Sequence, residues 1–117
     1  LKALLVDDNP LVLSALGSCL EFDGHTVLTA GGAQEALEHL QYHIPDLVLL
    51  DSHLATESES AFLLDIIRGR PALAQTRVVL LSGLDEKSIW LQRGADGFLC
   101  KPLECEELYA EIRRLGL

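Results

Sequence analysis

The sequence predicts an α/β fold: a doubly wound, five-stranded parallel sheet with helices on both faces. Two observations predict it. Five short apolar runs alternate with five segments of helical character along 117 residues. The central runs, LVLL and VVLL, are apolar without alternation, as expected of strands covered on both faces.

The elements follow in order. KALLVDD (2–8) is a buried strand ending in two acids. Asn9 reads as a helix N-cap with Pro10 at the first helical position, and Val12, Leu16, Cys19 and Leu20 share one face of the helix that follows. Asp23-Gly24 ends that helix, and HTVLTA (25–30) alternates like a strand. Gly31-Gly32 opens a second helix, AQEALEHLQYH, and Pro45 precedes the strand DLVLLD (46–51). SAFLLDIIRG (60–69) is a third helix closed by Gly69 and Pro71, and RVVLLS (77–82) a fourth strand. DEKSIWLQRG (85–94) reads as a short helix, GFLCK (97–101) as the last strand, and ECEELYAEIRRL (104–115) as a final amphipathic helix. Strict β–α alternation implies right-handed crossovers between parallel strands.

The length prior gives one domain. Hydrophobic residues are 49% of the chain and aromatics 5%, so the core is aliphatic. Nine basic residues against eighteen acidic give a net charge of -9, which argues against direct nucleic-acid binding. No apolar run approaches the ~20 residues of a membrane span. Cys19, Cys100 and Cys105 have no metal-type spacing and are odd in number, so they are expected as reduced thiols in a cytoplasmic protein. The chain has no Met, not even at position 1, and is expected to be cut from a longer protein.

Open α/β sheets bind ligands at the carboxyl ends of their strands. Asp7 and Asp8 follow the first apolar run, Asp51 the third, Ser82 the fourth and Lys101 the fifth. With the flavodoxin-like strand order 2-1-3-4-5, these four strands are consecutive neighbours, and all five groups reach one edge. Three converging carboxylates repel unless a cation compensates them. Mg²⁺ takes oxygen ligands and is typically held by one or two carboxylates together with phosphate oxygens. A carboxylate beside Mg²⁺ and Lys101 is poised as a nucleophile toward phosphorus, with Ser82 able to donate a hydrogen bond to a phosphoryl oxygen.

LLVDDNP, DLVLLD, VVLLSG, GADGFL and CKP stand in the order and spacing of response-regulator receiver domains, the CheY-like family, which the chain resembles over its whole length. The resemblance implies a two-component signalling switch in which Asp51 accepts a phosphoryl group from a histidine kinase or histidine phosphotransfer protein. The domain then catalyses its own phosphoryl transfer and dephosphorylation, without being an enzyme in the turnover sense. The resemblance also implies Mg²⁺, or Mn²⁺ in its place, held by Asp8, Asp51 and the backbone carbonyl of His53, with Asp7 acting through water. Lys101 pairs with the Asp51 carboxylate and then with the phosphoryl group. Ser82 and Phe98 stand at the hydroxyl and aromatic switch positions, the ring turning inward behind the hydroxyl. The Lys101–Pro102 bond is expected to be cis. The output domain or partner is left open, as is dimerisation.

The chain departs from the family pattern in three places. The loop after Asp51, SHLATESESAF, lacks the usual Pro and Gly and reads as acidic (Glu57, Glu59) and mobile. The segment from Ser82 to Lys101 is a few residues short, so the fourth helix is short or shifted. Ser82-Gly83 replaces the commoner Thr-Ala, leaving the site open to small phosphodonors.

Blander readings apply to other residues. His39 and His43 are four apart and could ligate a metal, but without a third ligand they describe a solvated helix face. Cys100 is expected to pack within its strand, the side chain of His53 either tunes phosphate lifetime or faces solvent, and Trp90 has no assigned role. Gly31-Gly32 lacks the spacing of a dinucleotide loop. Two rival functions stand beside the main one. A phosphorylation-independent receiver-like binding module would share the fold, but such relatives lose an acid or the Lys. A haloacid-dehalogenase-type phosphatase would need a second Asp where this chain has His53, and a cap domain for which there is no room.

Overall fold

A computed structural model describes residues 1–117. The strands are β1 (Lys2–Val6), β2 (Thr26–Ala30), β3 (Leu47–Asp51), β4 (Arg77–Ser82) and β5 (Gly97–Cys100). The helices are α1 (Pro10–Phe22), α2 (Ala33–Tyr42), α3 (Glu57–Gly69), α4 (Lys87–Gln92) and α5 (Cys105–Arg114), with a single 3-10 turn at Pro71–Leu73. Every strand pair is parallel and the order is β2-β1-β3-β4-β5, so the predicted architecture is the observed one.

Strand side chains alternate between two cores. Leu4, Val6, Val48, Leu50, Val78 and Leu80 face α2, α3 and α4 in a cluster of 19 buried residues. Ala3, Leu5, Leu47, Leu49, Val79 and Leu81 face α1 and α5 in a cluster of 11. Three helices cover one face and two the other, which accounts for the unequal clusters and for the unbroken apolar runs. Each fully buried leucine is worth about 1.5–3 kcal/mol relative to exposure.

The helix starts follow their caps. Asn9 Oδ1 accepts from Leu11 N at 2.9 Å, with Pro10 at the first turn. α1 ends where Gly24, at φ 85°, turns the chain so that His25 N reaches Leu20 O at 3.0 Å. Helix α3 begins three residues earlier than expected: Thr56 Oγ1 accepts from Glu59 N at 3.1 Å and caps it. Glu57 and Glu59, expected in a loop, therefore occupy the first turn of α3, where acidic side chains suit the helix dipole. Glu59 also caps a neighbour, accepting from Ala33 N at 3.1 Å where Gly32 offers α2 no side chain. Helix α4 has only six residues, Lys87 to Gln92, anchored by Trp90, which is 1% exposed with no hydrogen-bond partner for its indole N–H. Trp90 is thus a core residue.

The cysteine expectation is corrected in two respects. Cys19 and Cys105 form a disulfide with Cα atoms 5.6 Å apart. Helices α1 and α5 lie on the same sheet face, where the Tyr109 hydroxyl donates to Cys19 O at 2.6 Å, and this packing joins residues 86 apart in sequence. An odd count rules out complete pairing, not one bridge. Cys100, expected to pack within its strand, is exposed because it ends an edge strand.

Candidate functional site

The parallel sheet delivers the polar ends of its strands to one edge. Asp7 and Asp8 follow β1, Asp51 and Ser82 are the last residues of β3 and β4, and Lys101 follows β5. Lys101 N donates to Ser82 O at 2.7 Å, carrying the β4–β5 pairing one step past the last strand residue.

Asp7 and Asp51 are buried, at 2% and 7% exposure, and Asp8 is exposed. Carboxylate oxygens of the three lie within 4.8 Å of one another. Lys101 Nζ donates to Asp7 Oδ2 at 2.7 Å and stands 3.3 Å from Asp51 Oδ1. The resemblance pairs Lys101 with Asp51; here Asp7 is its nearer partner. Asp51 Oδ1 already accepts from His53 N at 3.2 Å, so it is the more contested oxygen. Asp7 Oδ1 accepts from Asn9 N at 2.9 Å, which leaves both Asp7 oxygens engaged.

Three carboxylates against one ammonium leave the site short of positive charge. Burial pushes the Asp51 carboxyl above its ordinary value; the His53 N–H opposes this, the charge of Asp7 adds to it and Lys101 opposes it again. Burial works to lower Lys101, but its hydrogen bond to Asp7 and the charges of Asp51 and Asp7 outweigh it, and the ammonium is held up. Lys101 is therefore a fixed cation here. The donor set fits a hard divalent cation: Asp8 is free and exposed, its carboxylate lies close to those of Asp7 and Asp51, and all ligands are oxygens.

The remaining predicted residues are placed as follows. Ser82 is 1% exposed, and its Oγ donates to Glu86 Oε1 at 2.9 Å and accepts from Leu84 N at 3.0 Å. Phe98 is already buried, in the cluster that includes Trp90 and Leu80. The Lys101–Pro102 bond is cis. The His53 side chain is 43% exposed, with Nδ1 2.8 Å from Ser52 Oγ and Nε2 3.5 Å from Glu57 Oε2. His39 Nε2 lies 2.8 Å from Thr29 O and His43 Nδ1 3.3 Å from Lys2 Nζ, so each has a structural partner.

Sequence reasoning missed two residues. Ser60 accepts from Leu54 N at 3.1 Å and donates to Asp51 O at 2.7 Å, tying the end of β3 to α3. No local pattern links residues nine apart across a turn. Glu86 binds Ser82 across the β4–α4 loop, and its acidity alone did not set it apart from Asp85.

This fold and this edge define a class. Residues 3–113 match the response regulator receiver domain, and the chain belongs to that family, a module of two-component signalling. It is 32% identical to the virulence transcriptional regulatory protein PhoP of Salmonella typhimurium, over 98% of this chain and 51% of PhoP. It is 33% identical to the transcriptional regulatory protein CpxR of Escherichia coli, over 97% of this chain and 48% of CpxR. The chain thus spans about half the length of the curated relatives it matches. Among solved structures it resembles the chemotaxis response regulator CheY4 of Vibrio cholerae, with TM-score 0.90, 25% identity and 97% of both chains covered. It also resembles the receiver domain of NtrX from Brucella abortus, with TM-score 0.87 and 28% identity, covering 97% of this chain and 96% of that one. No helix is long and apolar enough to cross a membrane.

Proposed function

We propose that this receiver domain accepts a phosphoryl group on Asp51 from the phosphohistidine of a kinase or phosphotransfer protein, as the cytoplasmic receiver part of a longer regulator. The observation that carries this reading is a buried Asp51 carboxylate 3.3 Å from the Lys101 ammonium, at the edge where Asp7 and Asp8 converge. Asp51 Oδ1 accepts from the His53 N–H and keeps a lone pair for a cation, and Oδ2, which no protein group engages, is the attacking atom. The new bond joins Oδ2 to phosphorus as the phosphorus–nitrogen bond of the donor breaks, and the imidazole nitrogen leaves with the bonding electron pair.

Asp8, Asp51 and the His53 carbonyl would hold Mg²⁺ directly, and Asp7, with both oxygens already bonded, would do so through water. The bound cation supplies charge neutralisation for the phosphoryl oxygens. Lys101 follows the same logic from the protein side, exchanging part of its contact with Asp51 for a phosphoryl oxygen. Ser82 would donate to another oxygen, and its movement, backed by the already buried Phe98, is the conformational signal. PhoP and CpxR are transcriptional regulatory proteins, so an output domain of that kind fits the half of their length this chain does not span.

The test is intact mass after incubation with Mg²⁺ and acetyl phosphate. One phosphoryl adduct is expected on the wild type and none on Asp51→Asn. Undiminished labelling of that variant would refute the assignment of Asp51.

A further inference from the structure

The hydroxyl of Ser82 has one proton, and in this structure it goes to Glu86. The contact is sheltered: Ser82 is 1% exposed and the Glu86 side chain 13%. The Ser82 oxygen is held from the other side by Leu84 N at 3.0 Å, so the hydroxyl is fixed in one orientation. A helix-capping role would be the ordinary explanation for Glu86, which occupies the N-cap position of α4. Its side chain makes no capping hydrogen bond. The carboxylate bonds to Ser82 instead, and its nearest cationic candidate is His53 Nδ1, 4.0 Å away. Behind it, Trp90 N bonds Glu86 O at 3.2 Å and the buried Trp90 ring fixes α4, so Glu86 stands on an anchored segment.

Resting on the phosphoacceptor reading above, we propose that Glu86 is a positioning residue that latches Ser82 in the unphosphorylated state. Ser82 cannot donate to Glu86 and to a phosphoryl oxygen with the same proton, so phosphorylation must break the latch. The bond has a charged acceptor and is therefore among the stronger kind. A phosphoryl group arriving on Asp51 brings further negative charge toward the Glu86 carboxylate, which helps expel Glu86 from Ser82 once transfer has occurred. Glu86 thus sets the balance between resting and switched states, acting through Ser82 and touching no reacting atom.

The experiment measures beryllofluoride affinity and the rate of acetyl phosphate labelling, both with Mg²⁺, for wild type, Glu86→Ala, Ser82→Ala and the double variant. Releasing the latch should raise affinity and rate roughly ten- to a hundredfold in Glu86→Ala, the scale of one hydrogen bond to a charged acceptor. In the Ser82→Ala background the same substitution should give a much smaller gain, from the lost charge alone, because there is no hydroxyl left to release. A gain of function is not what damage to the fold produces, and Glu86→Gln, which keeps an acceptor but no charge, should fall between wild type and Glu86→Ala. Unchanged or weakened binding in Glu86→Ala would overturn the latch. An equal gain with and without Ser82 would overturn it too, by showing that Glu86 acts only through its charge. If the wild type itself takes neither beryllofluoride nor phosphate, the phosphoacceptor reading fails and the latch falls with it; wild-type binding beside an unresponsive Glu86→Ala removes the latch alone.

Discussion

The two edges of the sheet handle charge in opposite ways. At the carboxyl edge, Asp7, Asp8 and Asp51 share one cation, Lys101, and the fold leaves the imbalance in place. At the amino edge, Arg68 of α3 has a partner for each nitrogen: Nε donates to Gly94 O at 2.8 Å, Nη1 to Thr76 O at 2.9 Å and Nη2 to Asp96 Oδ2. Asp96 in turn accepts from Val78 N at 2.8 Å, and Thr76 Oγ1 donates to Pro45 O at 2.8 Å. One edge is a closed network joining α3, β4 and the turn before β5. The other is an open one that a divalent cation and a phosphoryl group would complete. The same sheet thus separates what holds the fold from what the site has left unpaired for function.

The largest effect on stability is expected at the closed edge. Arg68→Ala removes the shared partner of two carbonyls and a carboxylate and leaves Asp96 without its cation. A loss of about 2–3 kcal/mol follows from stranding such groups in a partly buried site. Urea denaturation measures it. Because the change lies at the opposite edge from Asp51, any acetyl phosphate labelling of the protein that remains folded should be unaffected. A stability loss below the scale of one hydrogen bond would mean that the amino edge is not the closed network described.

A substitution at the open edge should act in the opposite direction. Asp51 is held above its ordinary value chiefly by burial, with Asp7 adding to the rise. A carboxyl raised in the folded state binds its proton more tightly there than in the unfolded chain. Its contribution to stability therefore falls as pH rises from the ordinary carboxylate value of about 4 through the raised one. Asp51→Asn has no such proton to lose. Without Mg²⁺ the variant should be more stable than wild type near pH 7, by less than the Arg68→Ala loss, and this advantage should shrink as the pH is lowered toward about 4. Lys101 does not blur the comparison: its raised value keeps its contribution intact until the pH rises through that value, above the ordinary lysine range. Paired denaturation curves at several pH values with a chelator present decide it. A wild type that outlasts Asp51→Asn at neutral pH would contradict the imbalance.

How legible these features were in the sequence depends on how local their causes are. The strands and their polar ends could be read because double-sided burial writes unbroken apolar runs; the strand order rests on the flavodoxin-like pattern, and in that order parallel topology carries Asp7, Asp8, Asp51, Ser82 and Lys101 to one edge. The N-cap at Asn9 was equally local. The start of α3 was misjudged because Thr56 competes with Ser60 as a boundary, and only the bond from Glu59 N to Thr56 Oγ1 decides between them. The strand β1 was drawn two residues too long, since Asp7 and Asp8 leave the ladder toward the site while Asp7 N still bonds Ala30 O at 3.1 Å. Contacts between distant segments left no trace in the pattern. The Cys19–Cys105 bridge and the Arg68 network depend on how finished elements pack, and even the local Ser82–Glu86 bond depends on how the β4–α4 loop folds.

The smallest expected effect separates pairing from closure. Arg93, at the end of α4, contacts Asp65 of α3 with two nitrogens, at 3.3 Å and 3.0 Å, and this pair raises the guanidinium further above its ordinary value. By geometry alone it resembles the Arg68–Asp96 pair, and it too links α3 to the α4 region. The difference is water. The Arg93 and Asp65 side chains are 47% and 53% exposed, against 26% and 29% for Arg68 and Asp96. Solvent already satisfies both partners, salt screens their attraction, and no backbone group depends on either. Arg93→Ala should therefore leave the urea midpoint unchanged within error, at low and at high salt. A loss comparable to that of Arg68→Ala would show that charge pairing by itself stabilises this fold, and the contrast between the two edges would then need a different explanation.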